Sequence, residues 1–297
     1  MASVLLECVP NVSEGRDLRA VEACADAVRG VPGATLADVH ADPDHHRSVF
    51  TVLGAPQAVE EAVLALASAV FARVDMREHR GIHPRLGALD VLPFVPLRDL
   101  SMADAVAIAR RVGHAIAAVP GLPVYFYGAA TTRSEPRAVR DIRRGEYESL
   151  AARFTDPAWW PDAGPAVFVP RLGAVMVGAR GVLVAYNVWL DSRDLGAARA
   201  IARAVRESSG GLASVQALGL PLERRGLVHV SMNLLDWRRT GIARAWDAVA
   251  AEAARRGLAI TRAELVGLAP RAAFEGRAPE SVGLPDLPDA AYLESWF

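Results

Sequence analysis

Residues 34–54, ATLADVHADPDHHRSVFTVLG, contain two apolar runs separated by the polar stretch ADPDHH. This pattern predicts two strands joined by a loop. On the N-terminal side, residues 4–10 predict a strand and residues 16–30 predict a helix. On the C-terminal side, residues 56–75 predict a helix with a proline near its start, and residues 88–96 predict another strand. The order is β-α-β-β-α-β, the split βαβ arrangement of ferredoxin-like domains.

The second half of the chain repeats this order. The segments that predict its strands and helices are, in chain order, residues 181–190, 192–208, 212–220, 226–235, 241–257 and 258–268. A further strand, GAVMVG at residues 173–178, is predicted to pair into this second half through the ARG turn that follows it. The sequence therefore predicts an α/β (α+β) protein of two ferredoxin-like subdomains, residues 1–180 and 181–297, with the ligand site between them.

The composition indicates a globular protein with a large core and no polyanionic partner. The chain has 297 residues, 52% of them hydrophobic, and its 33 basic residues nearly balance 34 acidic ones. Neither nucleic-acid binding nor membrane binding is indicated. The longest apolar stretch in a predicted helix, Ala62–Ala72, is too short to span a membrane. With only Cys8 and Cys24, disulfides do not hold the fold, which favours a reducing cytoplasm.

The sequence contains no lysine, so all of its basic residues are arginines. A lysine Schiff base and a P-loop are therefore excluded, and with them pyridoxal-phosphate enzymes, lysine aldolases and P-loop NTPases. If a site binds carboxylates, arginine guanidinium groups must do so.

His83 is the first candidate for proton transfer. It lies in GIHPRLGALDVLPFVP, residues 81–96, where Pro84 restricts the backbone directly before a predicted strand. The alternative is an ordinary surface histidine. No metal site is predicted, because Gly81 and Pro84 interrupt the helix that would align His79 with His83, and the glutamate of a zinc protease motif is missing.

Other candidates are a loop, two asparagines and two arginines. Residues 159–174, WWPDAGPAVFVPRLGA, form a stiff segment that either receives a flat aromatic ligand or links the two halves. Asn187 and Asn233 lie in apolar strands, which we interpret as matching places in the two halves, and their amides need partners in the protein or a ligand. Arg171 and Arg180 are candidates for carboxylate recognition or are solvated.

Taken together, these segments resemble the formiminotransferase domain of glutamate formiminotransferase. The blocks that carry the resemblance are ECVPNVSEGR, HPRLGALDVLPFVP, PVYFYG, IRRGEYE, PDAGPAVFVPRLGA, VGAR, VQALG, SMNLLD and ELVGLAP. The resemblance implies two α/β subdomains with folate between them and transfer of a formimino group from N-formiminoglutamate to N5 of tetrahydrofolate. It also implies a homodimer formed through the first subdomain, and no metal.

The resemblance assigns roles to individual positions. It implies that His83 is the catalytic general acid/base, since an imidazole with a pKa near ~6.5 exchanges protons at neutral pH. Arg85, Arg171 and Arg180 lie in or beside the matched motifs. They are therefore the candidates for binding the carboxylates of the two substrates. The implied folate-binding loop consists of Gly164, Pro165, Ala166, Val167, Phe168, Val169, Pro170, Arg171, Leu172 and Gly173.

Four positions depart from the family pattern. His40 stands where animal members have an active-site aspartate, and it is a second candidate for proton transfer or substrate orientation. Ala129 replaces a glutamate, Leu172 a tryptophan and Gly181 a lysine. Two alternatives therefore remain: a folate-dependent formyl or formimino transferase with another donor or acceptor, and a folate-binding protein without turnover.

Overall fold

The computed structural model describes residues 4–118, 121–135 and 137–296. Helices and strands alternate along the chain, which divides into two compact units, Met1–Arg180 and Gly181–Phe297. Each unit has its own β-sheet. The predicted α/β class is confirmed.

The first unit has, within its described residues, seven strands and five helices. The strands are β1 (Leu5–Cys8), β2 (Asn11–Val12), β3 (Ala34–Asp42), β4 (Arg47–Gly54), β5 (Leu89–Arg98), β6 (Val124–Gly128) and β7 (Val175–Ala179). The helices are α1 (Leu18–Arg29), α2 (Pro56–Arg73), α3 (Met102–Ala118), α4 (Val139–Ile142) and α5 (Leu150–Arg153). Short 3₁₀ turns occupy Tyr147–Ser149 and Pro157–Trp159.

β1 and β2 form one interrupted strand. Both lie between β4 and β5 and run antiparallel to both. Pro10 lies at the interruption, where its ring nitrogen has no hydrogen to donate, but its carbonyl oxygen accepts from the Phe50 N–H at 2.9 Å. The sheet order is β3-β4-β1/β2-β5-β7-β6. The predicted β-α-β-β-α-β run therefore supplies four adjacent positions of this sheet.

The prediction that residues 173–178 pair with the second half is wrong. β7 lies in the sheet of the first unit, between β5 and β6 and parallel to both. Val175 and Val177 face the core that contains α3, and Met176 faces Ile142 and Leu150 on the other side. A parallel strand covered on both faces is apolar without alternation, so its sequence carries no sign of which sheet it joins.

The second unit is a four-stranded antiparallel sheet with helices on one face. Its elements are β8 (Val184–Leu190), α6 (Leu195–Val205), β9 (Val215–Leu222), β10 (Leu227–Leu234), α7 (Ile242–Ala254) and β11 (Ile260–Val266), with 3₁₀ turns at Glu207–Ser209, Arg271–Phe274, Pro279–Val282, Asp289–Ala291 and Leu293–Trp296. The strand order is β11-β8-β10-β9. Val188 and Val230 pack with Ile201 and Val249 of the helices. Alternation therefore places the remaining strand side chains on the opposite face.

None of the helices in the described part of the chain combines the length and the apolar character needed to cross a membrane.

The first unit offers a matched pair of leucines for testing its core. Leu66 of α2 is fully buried, whereas Leu18 of α1 is 66% exposed. We expect Leu66→Ala to lower the free energy of unfolding by about 2–5 kcal/mol and Leu18→Ala to change it by less than about 0.5 kcal/mol. Urea unfolding of both variants measures this, and equal losses would contradict the assigned core.

Candidate active site

Asp90 is a fully buried carboxylate in β5 that connects three segments of the first unit. Its Oδ1 accepts from the Leu86 N–H at 2.7 Å, and its Oδ2 accepts from Arg47 Nη1 at 2.7 Å and from Arg143. Burial alone would raise the pKa of Asp90, but the charges of Arg143 and Arg47 hold it below its usual range. The ionised carboxylate therefore joins the loop before β5 to the start of β4 and to the segment after α4.

His83 lies in that loop, residues 81–88, which we call the HPR loop. Its Nδ1 lies 2.8 Å from the carbonyl oxygen of Pro84. Because a carbonyl oxygen only accepts, Nδ1 carries the hydrogen and Nε2 carries the lone pair. Burial, followed by the positive charges of Arg47 and Arg143, holds the pKa of His83 well below its ordinary value. The ring is therefore neutral at neutral pH and can accept a proton at Nε2.

Arg85 attaches the HPR loop to residues 143–148. Its guanidinium donates to Glu146 at 3.1 Å and to Glu148 at 2.8 Å, and its Nε donates to His79 at 3.2 Å. Burial would lower the pKa of Arg85, but Glu148 and Glu146 raise it overall. Its role in binding a substrate carboxylate stays a prediction, because the guanidinium already binds two carboxylates of the chain.

The segment assigned to folate by resemblance, residues 164–173, ends directly against the HPR loop. We call it the glycine–proline loop. The Ala88 N–H donates to the Leu172 carbonyl at 2.9 Å. Gly87 allows this approach, because a Cβ atom there would lie 2.3 Å from the Ala174 carbonyl oxygen. The structure therefore places next to each other the two segments for which the resemblance implies catalysis and folate binding.

The glycine–proline loop presents backbone donors on a supported frame. The N–H groups of residues 166–168 donate to no acceptor among the residues that the structure describes. Tyr147 supports the loop, because its hydroxyl donates to the Pro170 carbonyl at 2.5 Å and its ring lies 5.4 Å from that of Phe168. Leu172 is buried in the core of the first unit. The departure from the family pattern at this position therefore lies in the packing that holds the loop.

The two other candidate arginines, Arg171 and Arg180, also interact with residues of the first unit. Arg171 donates to the carbonyl oxygens of Phe71 at 2.6 Å and Ala72 at 3.0 Å, at the end of α2, where a cation is favoured. Arg180 lies near Glu7, a buried residue of β1. Burial raises the pKa of Glu7 to about 7, with the charge of Arg180 opposing the rise. Arg171 thus holds the glycine–proline loop, and the partly buried Arg180 interacts with the buried Glu7.

His40 is half-buried in β3, opposite Val49 of β4.

The prediction that Asn187 and Asn233 occupy matching places in the two halves is wrong. Both lie in the second unit, in β8 and β10, and the strand register puts them on one face of the same sheet. Asn187 is buried and donates to Glu264 at 3.1 Å, whereas Asn233 is exposed. Both strands belong to a single repeat, so the two positions are not equivalent.

Five residues that hold the HPR loop were not among the candidates predicted from the sequence, namely Arg47, Asp90, Arg143, Glu146 and Glu148. One signal was present: an aspartate inside the apolar run LDVLPFVP needs buried partners. The identity of those partners depends on the fold, because Arg85 and Glu148 are 63 positions apart.

Two family models match the chain. Residues 5–180 match the formiminotransferase domain, N-terminal subdomain, and residues 185–278 match the formiminotransferase domain. The chain is similar to glutamate formimidoyltransferase of Streptococcus pyogenes serotype M1, with 36% identity over 91% of this chain and 90% of that protein. It is also similar to glutamate formimidoyltransferase of Thermoplasma acidophilum, with 41% identity over 91% of this chain and 89% of that protein.

A longer relative aligns over only part of its length. Formimidoyltransferase-cyclodeaminase of Gallus gallus is 41% identical over 91% of this chain but 51% of that protein. The chain therefore spans about half the length of this relative.

The contact between the two loops can be tested at Gly87. We expect Gly87→Ala to lower the free energy of unfolding by about 1–3 kcal/mol, because the new Cβ atom must displace backbone. Gly181→Ala is the matched control, since a Cβ atom there meets nothing within 4 Å. Denaturant unfolding of both variants gives the comparison, and a Gly87→Ala protein as stable as the control would show that the loops do not meet as described.

Asp90→Asn tests the buried carboxylate. It leaves the charges of the buried Arg47 and the partly buried Arg143 uncompensated, for an expected loss of about 3–5 kcal/mol in the free energy of unfolding at neutral pH. Because folding lowers the pKa of Asp90, its stabilisation is present above the ordinary value near ~3.9 and is lost as pH falls through the folded value. The wild type should therefore lose more stability on acidification than Asp90→Asn. Parallel pH–stability curves would contradict this role, and Asp26→Asn on the exposed face of α1 is the control.

Proposed function

The chain belongs to the formiminotransferase domain family, and we propose that it is a glutamate formimidoyltransferase. The reaction moves the formimino group of N-formimino-L-glutamate to N5 of tetrahydrofolate and releases glutamate. The observation that carries the proposal is similarity over 91% of this chain and 90% of a relative named for that activity.

His83 is proposed as the general acid/base. N5 must lose a proton as it attacks the formimino carbon, and the departing glutamate nitrogen must gain one. A neutral imidazole with its lone pair on Nε2 accepts the first proton. The lowered pKa of His83 makes its protonated form a ready donor in the second step. The geometry of the HPR loop therefore supports both halves of the transfer.

The glycine–proline loop is proposed to bind tetrahydrofolate, the co-substrate. The N–H groups of residues 166–168 suit the polar edge of a flat heterocycle, and Tyr147 and the HPR loop fix the segment from behind. Arg180 is the candidate for a substrate carboxylate. No metal is part of the proposal.

The remaining assignments follow the family. The two units are proposed to be its N-terminal and C-terminal subdomains, with His40, Asn187 and Asn233 as further candidates for substrate contact. We propose a homodimer that acts on small molecules in the cytoplasm, with neither nucleic acid nor membrane as partner. The buried thiols of Cys8 and Cys24, which form no disulfide, are consistent with a reducing compartment.

His83→Ala tests this function. We expect kcat for 5-formiminotetrahydrofolate formation to fall by about 10²–10⁴, because proton transfer is lost, while tetrahydrofolate still binds. His114→Ala, on the exposed side of α3, is the matched control. Rates are measured with tetrahydrofolate and N-formiminoglutamate.

Two results would contradict the assignment. Wild-type rates in His83→Ala would remove the histidine from the mechanism. Tetrahydrofolate binding without turnover by the folded wild type would favour another donor or acceptor, or a protein that binds folate only.

A further inference from the structure

Asp90 is shared between two arginines, and the three side chains, which we call the Asp90 cluster, carry an excess of positive charge. Asp90 Oδ2 accepts from Arg47 Nη1 at 2.7 Å and from Arg143. In the described part of the chain, neither arginine forms an ion pair with another acid. Asp90 is fully buried, and the side chains of Arg47 and Arg143 are only 9% and 14% exposed. An unbalanced charge in such surroundings is unfavourable until an anion joins it.

The two arginines differ in how many of their donors are used. Arg47 donates from Nε and Nη2 to Asn11 Oδ1, at 3.1 and 2.8 Å, so each of its side-chain nitrogens has an acceptor. The buried Nε of Arg143 has no acceptor among the residues that the structure describes, and its guanidinium bonds there to Asp90 alone. A guanidinium keeps its charge and carries more N–H donors than one carboxylate oxygen can accept. The unused donors therefore belong to Arg143.

Arg143 is attached to the HPR loop by two routes. Its carboxylate partner accepts from the Leu86 N–H at 2.7 Å. In addition, the Tyr147 N–H donates to the Arg85 carbonyl oxygen at 3.0 Å, so the segment that begins with Arg143 runs beside the loop. The charge of Arg143 is also among those that oppose a proton on His83. An anion bound to Arg143 would therefore lie near the catalytic candidate.

Formimino transfer itself places no negative charge on the reacting carbon. That carbon is bonded to nitrogen in the donor and in the product, so its tetrahedral adduct has no oxygen on which negative charge could develop. The excess charge of the Asp90 cluster therefore does not match the reacting centre. It matches a substrate carboxylate, which the planar guanidinium of an arginine can bind through two hydrogen bonds.

The α-carboxylate of formiminoglutamate is the carboxylate that the reaction brings closest to His83. It is attached to the carbon that carries the departing nitrogen, and His83 is proposed to return a proton to that nitrogen. The γ-carboxylate lies at the far end of the glutamate side chain. The carboxylates of tetrahydrofolate lie beyond its aminobenzoyl ring, far from N5.

We propose that Arg143 binds the α-carboxylate of the formimino donor and so holds the departing nitrogen beside His83. Arg143 is thus a substrate-binding residue, separate from the arginines that the sequence motifs suggested. This inference rests on the proposed formimino transfer and adds to it the group that recognises the donor.

Arg143→Gln tests the proposal by steady-state kinetics, because it removes the charge and keeps a donor for Asp90. We expect KM for N-formimino-L-glutamate to rise about 10- to 100-fold, as for loss of a hydrogen bond between charged groups. The kcat at saturation and KM for tetrahydrofolate should change little. Arg144→Gln is the matched control, since the Arg144 side chain is 75% exposed on the same segment. An unchanged KM for the donor in Arg143→Gln would overturn the proposal.

Donors with a single carboxylate separate binding from a structural role. N-formiminoglycine keeps only the α-carboxylate, and we expect Arg143→Gln to lower its kcat/KM by the same factor as for formiminoglutamate. The N-formimino derivative of 4-aminobutyrate keeps only the distal carboxylate, and the variant and the wild type should use it equally well. An equal loss with both donors would overturn the proposal, because a displaced loop impairs every donor alike.

Donor binding without reaction separates this inference from the proposed function. Folic acid has no hydrogen on N5, so a complex with folic acid cannot accept the formimino group. In calorimetric titrations of that complex with N-formimino-L-glutamate, we expect Kd to be about 10- to 100-fold higher in Arg143→Gln than in the wild type or Arg144→Gln.

If the wild type binds the donor but transfers no formimino group to tetrahydrofolate, the proposed function fails by itself. The comparison of Kd values then still decides the role of Arg143. Equal Kd values in the three proteins, or a wild type that does not bind the donor, would overturn the inference.

Discussion

One buried carboxylate, Asp90, holds together the segments that meet at the candidate active site. It accepts from the HPR loop at Leu86 and binds Arg47 and Arg143, which come from opposite sides of it in the sequence. The same two arginines oppose a positive charge on His83. The Asp90 cluster therefore positions the loop that carries the catalytic candidate, and its two arginines act together with burial to keep that histidine neutral.

A second layer of contacts fixes the ligand loop against the catalytic loop. Gly87 lets the two backbones pass at close range, and Arg85 ties the HPR loop to Glu146 and Glu148. Tyr147, from the same short segment, holds the glycine–proline loop. This suits an enzyme that must align a nucleophilic nitrogen, a small carbon electrophile and one imidazole, because misplacement of any of them costs rate.

The sequence predicted the order of helices and strands in the first unit, but it did not predict which side chains pair with each other. Alternation and helical periodicity predicted the β-α-β-β-α-β order, and proline after His83 marked a rigid loop. The fully buried β7 was predicted to join the wrong sheet, since a strand without alternation fits either sheet. Arg85 binds Glu146 and Glu148 within the chain, and the sequence carries no sign of these two partners. Pairing between side chains that are far apart in the sequence depends on the fold, and no local sequence pattern reveals it.

The anchoring role of Asp90 is tested most directly by amide hydrogen exchange in wild-type protein and Asp90→Asn, with the strands of the second unit as internal reference. The structure predicts that the Leu86 amide, which donates to Asp90, is protected in the wild type. In the variant, exchange should accelerate throughout the HPR loop and residues 143–148, by more than in the reference strands. Unchanged relative protection of these segments would contradict the claim that one buried carboxylate organises the site.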